Sequence, residues 1–170
     1  MPSVAGLQTV ASELPKSKTV SVTRPNDASP YLANDVIGAS TGATAAIEFT
    51  DIAKAGSEFM ITGLDFRVNA AALISGEAAY RLQLYSATPP SALGDNAPWD
   101  IPSGDRSVYL GALDISTPVD EGSTLCIKMR EINAQVRLTG TSLFAYLVTV
   151  GPYTPTAQRV YEVTIHGLTL

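Results

Sequence analysis

The sequence predicts an all-β chain folded as a single antiparallel β-sandwich of jelly-roll type. Three observations lead there. Short runs alternate apolar and polar residues with period two, clusters of Gly, Pro, Asn and Asp separate the runs, and no apolar stripe of three helical turns occurs. About ten such runs fit an antiparallel sandwich or barrel, and eight core strands in two sheets make a jelly roll. A chain of 170 residues fits one domain. At that size roughly 70% of the unfolded surface is buried, so folding needs neither a disulfide nor a metal.

Residues 1–16, "MPSVAGLQTVASELPK", lack strand alternation. Val4, Leu7, Val10 and Leu14 recur at near-helical spacing. This segment is either a frayed terminus or an N-terminal arm that docks on a neighbouring subunit. The sandwich is then expected over 17–170. Val20 and Val22 alternate with Ser21 and Thr23 in the run 17–24. After the turn "PNDASP" come the runs 31–38 and 44–52, the latter with Ile47 and Phe49 on one face. Run 58–70 sets Leu64, Phe66 and Val68 against Asp65, Arg67 and Asn69, and run 80–86 sets Tyr80, Leu82 and Leu84 against Arg81 and Gln83. Runs 108–115, 124–131, 134–140, 142–150 and 159–167 complete the set. "TDIAKAGS" and "NAAALISGEAA" have room for one helical turn each.

An insert at 87–107 interrupts this regularity. It carries Pro89, Pro90, Pro98 and Pro102, the pairs Gly94-Asp95 and Gly104-Asp105, and the chain's one tryptophan, Trp99. Prolines fix φ and reduce the freedom of the unfolded loop, whereas a flexible lid favours Gly and Ser. The insert therefore reads as a stiff surface anchored by Trp99. Either it closes one end of the sandwich or it forms an interface, since Trp and Tyr are typical of interface hot spots. On the second reading Pro98, Trp99, Tyr109 and Tyr153 are the expected contact residues, and Val4, Leu7 and Val10 those of the arm.

Charge and composition narrow the function. The net charge is −5 and the eleven Lys and Arg are scattered, so the clustered basic footprint of a nucleic-acid binder is missing. Charged residues make up 16%, below the usual ~25%. That fits a surface partly covered by a partner, or a neutral coat of Ala, Thr, Ser and Gly. A lone cysteine, Cys126, excludes an intrachain disulfide framework. No stretch approaches the ~20 apolar residues of a membrane span, and the start has no signal-peptide pattern. A soluble protein made in a cytoplasm is expected.

Catalytic signals are sparse. The single histidine, His166, would have to meet Cys126 in space to make a nucleophile–base pair. The chain has no nucleophile elbow, phosphate loop, zinc-binding H-E-x-x-H or C-x-x-C motif. Neither an enzyme nor a cofactor is expected. The insert offers calcium ligands in Asp95, Asn96, Asp100 and Asp105, although the spacing is not that of an EF-hand. The same residues serve as turn formers, whose side chains cap local backbone groups.

Four stretches carry a family resemblance: "YLANDVIG", "FMITGLDFRVNAAALISG", "YRLQLYSATPPSALGDNAPWDIPSGDRSVYLG" and "LTGTSLFAYLVTVGPYTPTA". Across 31–157 the chain resembles head decoration (cement) and minor virion structural proteins of tailed bacteriophages. The resemblance implies a jelly-roll-like sandwich, often trimeric, on the outer capsid surface where capsomers meet. The implied partners are the major capsid protein and further copies of the chain, as a homotrimer, with synthesis in a bacterial cytoplasm; the scattered cations and the lack of a long apolar stretch add the expectation of no nucleic-acid or membrane partner. It brings no catalytic motif. A receptor- or glycan-binding module of a head or tail fibre is the competing expectation.

Overall fold

The alternating runs become ten strands in the computed structural model, which describes residues 15–170. They are β1 (Pro15–Thr23), β2 (Val36–Ile37), β3 (Ile47–Phe49), β4 (Glu58–Val68), β5 (Tyr80–Tyr85), β6 (Tyr109–Ile115), β7 (Val119–Asp120), β8 (Leu125–Arg137), β9 (Leu143–Thr149) and β10 (Val160–Thr169). One sheet has the order β1-β10-β4-β8-β7 and the other β2-β9-β5-β6, with β3 also on β9. Every pairing is antiparallel.

Strands β2 and β3 lie on successive stretches of β9. Val36 faces Val148 and Ile37 faces Leu147, then Ile47 faces Ala145 and Phe49 faces Leu143. They behave as one interrupted strand, and β7 is a short rider on β8. What remains is a nested set: β1 with β10, β2 and β3 with β9, β4 with β8, β5 with β6. A long hairpin rolled up in this way is a jelly roll. Its tip is the β5–β6 connection, which is the proline-rich insert.

The period-two pattern sets the core. In β10, Tyr161, Val163 and Ile165 lie in register with Val68, Phe66 and Leu64 of β4, and all six are buried. Tyr80, Leu82 and Leu84 of β5 meet them from the second sheet. The Phe66 ring sits 4.7 Å from Tyr80, which is 6.0 Å from Tyr161. Each such side chain contributes about 1.5–3 kcal/mol by leaving water.

The structure redraws some expected elements. Runs 124–131 and 134–140 are one strand, β8, broken by a bulge. Glu131 and Asn133 have φ of 60° and 53°, and residues 131–133 face Thr62 alone. A left-handed pair mid-strand mimics a turn in the sequence. Of the run 31–38 only β2 is strand, together with a bridge from Tyr31 to Tyr153, and of 44–52 only β3. Strand β7, two residues long, is too short to show alternation in the sequence. "TDIAKAGS" and "NAAALISGEAA" form turns, and no helix occurs among the described residues. Val4, Leu7 and Val10 of the expected arm lie outside the described residues.

A second irregularity, between His166 and Gly167, brings β10 tight against β4. A Cβ on Gly167 would lie 2.3 Å from the Met60 carbonyl oxygen and 2.4 Å from Cζ of Phe59. Gly104 has open space around it. Gly167→Ala is therefore expected to lower the unfolding free energy by about 1–3 kcal/mol. Gly104→Ala should stay within about 0.5 kcal/mol. Urea titration of the two variants checks this.

Candidate functional site

Strand β9 reads "LFAYLVT" without a polar face. Leu143, Ala145 and Leu147 point into the main core, while Phe144, Tyr146 and Val148 point out of the sandwich. An apolar outer face on the second sheet has to be covered, and the insert covers it. Leu93 and Trp99 of the insert, with Val108 and Tyr109 that follow it, close over Val36, Tyr85, Tyr146 and Val148 in a second apolar cluster.

Backbone pairing fixes the strap. The Ser86 N–H donates to the Val108 carbonyl at 2.8 Å and brings the ends of the insert together. Residues 93–99 then run along the edge of β2 that β9 leaves free. Ala45 donates to Leu93 (2.7 Å), Asp95 to Ser40 (2.8 Å), Asn96 to Val36 (2.8 Å), Val36 to Ala97 (2.9 Å) and Trp99 to Asn34 (2.8 Å). The strap thus satisfies an edge that would otherwise invite pairing with another chain.

Side chains complete the attachment. The Trp99 indole N–H donates to the Tyr85 hydroxyl at 3.0 Å, and its ring lies 6.0 Å from Tyr109. The Tyr109 hydroxyl donates to Oε1 of buried Gln83 at 2.8 Å. The Tyr146 hydroxyl donates to the Ser91 carbonyl at 2.6 Å. Trp99 and Tyr109 are half-buried and Pro98 is exposed. Tyr153, expected at the surface, is 6% exposed and packs 5.5 Å from Tyr31, its hydroxyl 2.8 Å from that of Tyr161. As placed here it belongs to the core.

The acids of the insert are held separately. Asp95 is the centre of a buried clasp. Arg24 Nη2 donates to its Oδ2 at 3.3 Å, the Tyr31 hydroxyl to its Oδ1 at 2.5 Å, and the Gly38 N–H to the same oxygen at 2.8 Å. Arg24 Nε donates to the Tyr31 hydroxyl at 2.5 Å. The side chains of Arg24 and Asp95 are 0% and 1% exposed. Burial, reinforced by the Asp95 carboxylate, raises the Tyr31 hydroxyl far above its usual range, so the phenol stays a donor. The approach needs small residues: a Cβ on Gly38 would fall 2.5 Å from Cβ of Ala45, and one on Gly94 2.5 Å from the Thr41 carbonyl oxygen.

Asp105 accepts from the Ser91 N–H at 3.0 Å and from the Ser91 hydroxyl, tying two turns of the insert together. Asn96, at φ 63°, turns its amide toward Asp35 Oδ2 and the Pro30 carbonyl, both 3.1 Å away. Asp100 is exposed. Among the described residues no three His, Cys, Asp or Glu side chains gather as a metal site. Of the four residues read as calcium ligands or turn formers, Asp95 is in an ion pair, Asn96 and Asp105 are in local hydrogen bonds, and Asp100 faces solvent.

A second buried pair lies beneath the loop before β5. Arg159 Nη2 donates to both Glu77 oxygens at 2.7 and 2.8 Å, and Glu77 also accepts from the Tyr80 hydroxyl and, at 2.9 Å, the Ile74 N–H. Sequence reasoning missed Arg24, Tyr31, Glu77 and Arg159. Each partner is remote in sequence or lies in a segment without periodicity.

The first sheet is bare on its outer face. Cys126 faces Arg67 and His166 faces Gly63, on opposite sides of β4. Two strand spacings, about 10 Å, and four residues along β4 separate them, so they form no pair. His166 instead stands in a row that sequence spacing conceals. Its Nδ1 is 2.7 Å from Ser17 Oγ and its Nε2 is 3.6 Å from Asp65 Oδ1. Burial pushes the Asp65 carboxyl up, but the hydrogen bond and charge of Arg130, 2.6 Å away, outweigh it and hold the carboxyl below its usual range. Asp65 is thus committed first to Arg130. Ser17 stands on β1, an edge strand that pairs with β10 alone.

No family model matches the sequence, and no curated protein matches it. Among solved structures, a chain of the mud crab dicistrovirus is 14% identical, with 99% of this chain and 78% of that chain covered at a TM-score of 0.33. A chain of the Israeli acute paralysis virus full particle is 11% identical, covering 99% and 81% at 0.29. A chain of turnip yellow mosaic virus is 12% identical, covering 99% and 85% at 0.28. Likenesses this distant carry no argument about function.

Asp95→Asn removes one charge of the buried clasp and is expected to cost about 3–5 kcal/mol of stability. As Trp99 is the one tryptophan, red-shifted emission before global unfolding reports release of the strap. Asp100→Asn should stay within about 0.5 kcal/mol of the parent. Alkali gives an independent check. Burial, only partly opposed by the Trp99 hydrogen bond, pushes the Tyr85 hydroxyl up from 10.0 to about 12. The folded state therefore favours the neutral phenol. Its contribution is whole below pH 10 and is lost as the pH rises toward 12. Phenolate absorbance and Trp99 emission should change together in that window.

Proposed function

We propose that the chain is a structural protein of a virion, a decoration or cement protein of a tailed-phage head. The phage assignment rests on the sequence resemblance over 31–157. The observation that carries a passive structural role is the clasped strap. The longest irregular segment of the chain is built into a fixed outer surface rather than a cleft or a lid. Its apolar side chains face its own sheet, Asp95 is paired with Arg24, Asp105 is bonded to Ser91, and its edge is hydrogen-bonded.

A protein of this kind works by shape. A standard interface takes about 800 Å² from each partner. The described residues expose 8722 Å², so capsid subunits and sister copies can be engaged together without crowding. Pro98 is the exposed contact of the strap in this reading, with Trp99 and Tyr109 as its foundation. The partners are the major capsid protein and two further copies in a homotrimer on the outer shell. Three weak attachments held in one body gain avidity without any single tight contact. No bond is made or broken, and the Ser17–His166–Asp65 row is part of the polar face.

Particles with and without the protein, challenged by heating and by dilution into low salt, test this. Particles lacking it should release DNA at lower temperature, and adding the purified protein should restore them. Equal robustness of both populations contradicts the proposal.

A further inference from the structure

The strap leaves one margin of β9 uncovered. Of the three side chains that point out of the sandwich there, Tyr146 and Val148 are fully buried, whereas Phe144 stays half-exposed. Phe144 lines a hollow of about 450 Å³ beside the first residues of the strap. Five hydroxyl side chains share the lining: Ser86 and Thr88 where the chain leaves β5, and Thr139, Thr141 and Ser142 between β8 and β9. Among the described residues no charged side chain lines it.

We propose that this hollow binds a neutral saccharide. A pyranose ring lays its C–H face on the Phe144 ring and turns its hydroxyls to Thr88, Thr141 and Ser142. The site goes beyond the virion role proposed above and does not depend on it.

The chemistry of the lining selects the ligand. A pyranose is apolar on one face and carries hydroxyls around its edge. The hollow mirrors this, since an aromatic face is apolar and electron-rich and each Ser or Thr hydroxyl both donates and accepts. The Ser86 hydroxyl donates to the Val108 carbonyl at 3.3 Å and the Thr139 hydroxyl to the Ser86 carbonyl at 2.6 Å. The hydroxyls of Thr88, Thr141 and Ser142 have no partner among the described residues and are left for a ligand. An anion would find no cation in the lining, and a metal no carboxylate. A hydrocarbon would strip water from these hydroxyls and bond to none of them. The volume lies within the ~300–1,000 Å³ of small-ligand sites.

The walls are preformed. The Ser86 N–H donates to the Val108 carbonyl at 2.8 Å, and the Thr141 carbonyl accepts from the Ile52 and Ala53 N–H groups at 3.0 and 3.3 Å. A site that needs no ordering loses less entropy on binding. Charge then narrows the sugar. Glu48 of β3 is exposed and stands directly opposite Phe144. Opposed Cβ atoms are about 4.5–5.5 Å apart, so an acidic sugar on the ring meets a like charge and a neutral one does not. Trp99 is the weaker platform, because Tyr85 holds its indole N–H and its ring packs on Tyr109.

The purified protein on an array of neutral oligosaccharides, with the same cores carrying sialic acid, tests this. Neutral glycans should bind, and their sialylated forms at least about tenfold more weakly. For the best neutral glycan, titrated by NMR, Phe144→Ala should weaken binding by about tenfold or more and Phe144→Tyr should keep it. Thr88→Val with Thr141→Val, which leaves the ring and the packing in place, should weaken it too. Unshifted Trp99 emission checks that each variant keeps the strap. No bound neutral glycan, a preference for the sialylated forms, or equal affinity in Phe144→Ala overturns the inference. Loss of self-association or of capsid attachment in Phe144→Ala, with no glycan bound by the parent, would make the hollow a protein contact and overturn it as well. Particle robustness is read separately, so the virion role stands or falls on its own experiment.

Discussion

Strand β9, in the second sheet, is apolar on both faces, and much else follows from the need to keep its outer face dry. Jelly-roll sheets ordinarily turn one face to solvent, and the first sheet here does so. In β9, however, Phe144, Tyr146 and Val148 point outward. Left bare they would form the contiguous apolar patch that promotes association. The strap removes that patch. Its cost is a buried charge, Asp95, which Arg24 and Tyr31 neutralise and hydrogen-bond. Arg24 follows β1, Tyr31 precedes β2 and Asp95 lies in the strap, so one clasp joins three distant parts of the chain.

The two faces of the molecule are chemically distinct in consequence. The strap presents backbone-satisfied, proline-stiffened surface. The opposite face presents in-register rows of Ser, Thr and charged side chains, with Arg67 on Glu162 at 2.8 Å and Arg130 on Asp65. Exposed pairs of this kind contribute little to stability. They set polarity and solubility. The molecule thus has one rigid clad face and one polar face.

Much of the architecture was legible from residues alone. Leu64, Phe66 and Val68, or Tyr80, Leu82 and Leu84, alternate with polar neighbours because one face of each strand meets the core and the other meets water or a polar row. The same logic failed where structure departs from two-sided alternation. In β8 the left-handed Glu131 and Asn133 imitate a turn, since Asn and its neighbours are ordinary turn formers. The anchoring of Trp99 was readable in kind, because a large aromatic among prolines has to pack on something. The Arg24–Tyr31–Asp95 clasp was not. Seventy-one residues separate Arg24 from Asp95, and no local pattern marks a buried carboxylate apart from a turn aspartate. The Ser17–His166–Asp65 row was hidden likewise, because strand register creates it.

The central claim is that the strap is a rigid part of the sheet it covers. Native-state hydrogen exchange at single-residue resolution tests this most directly, since protected amides report the free energy of local opening. The account predicts that the Asp95, Asn96 and Trp99 amides exchange as slowly as those of β2 and β9, through global unfolding. Rapid exchange across 93–99, with β9 still protected, would show a mobile flap and contradict it.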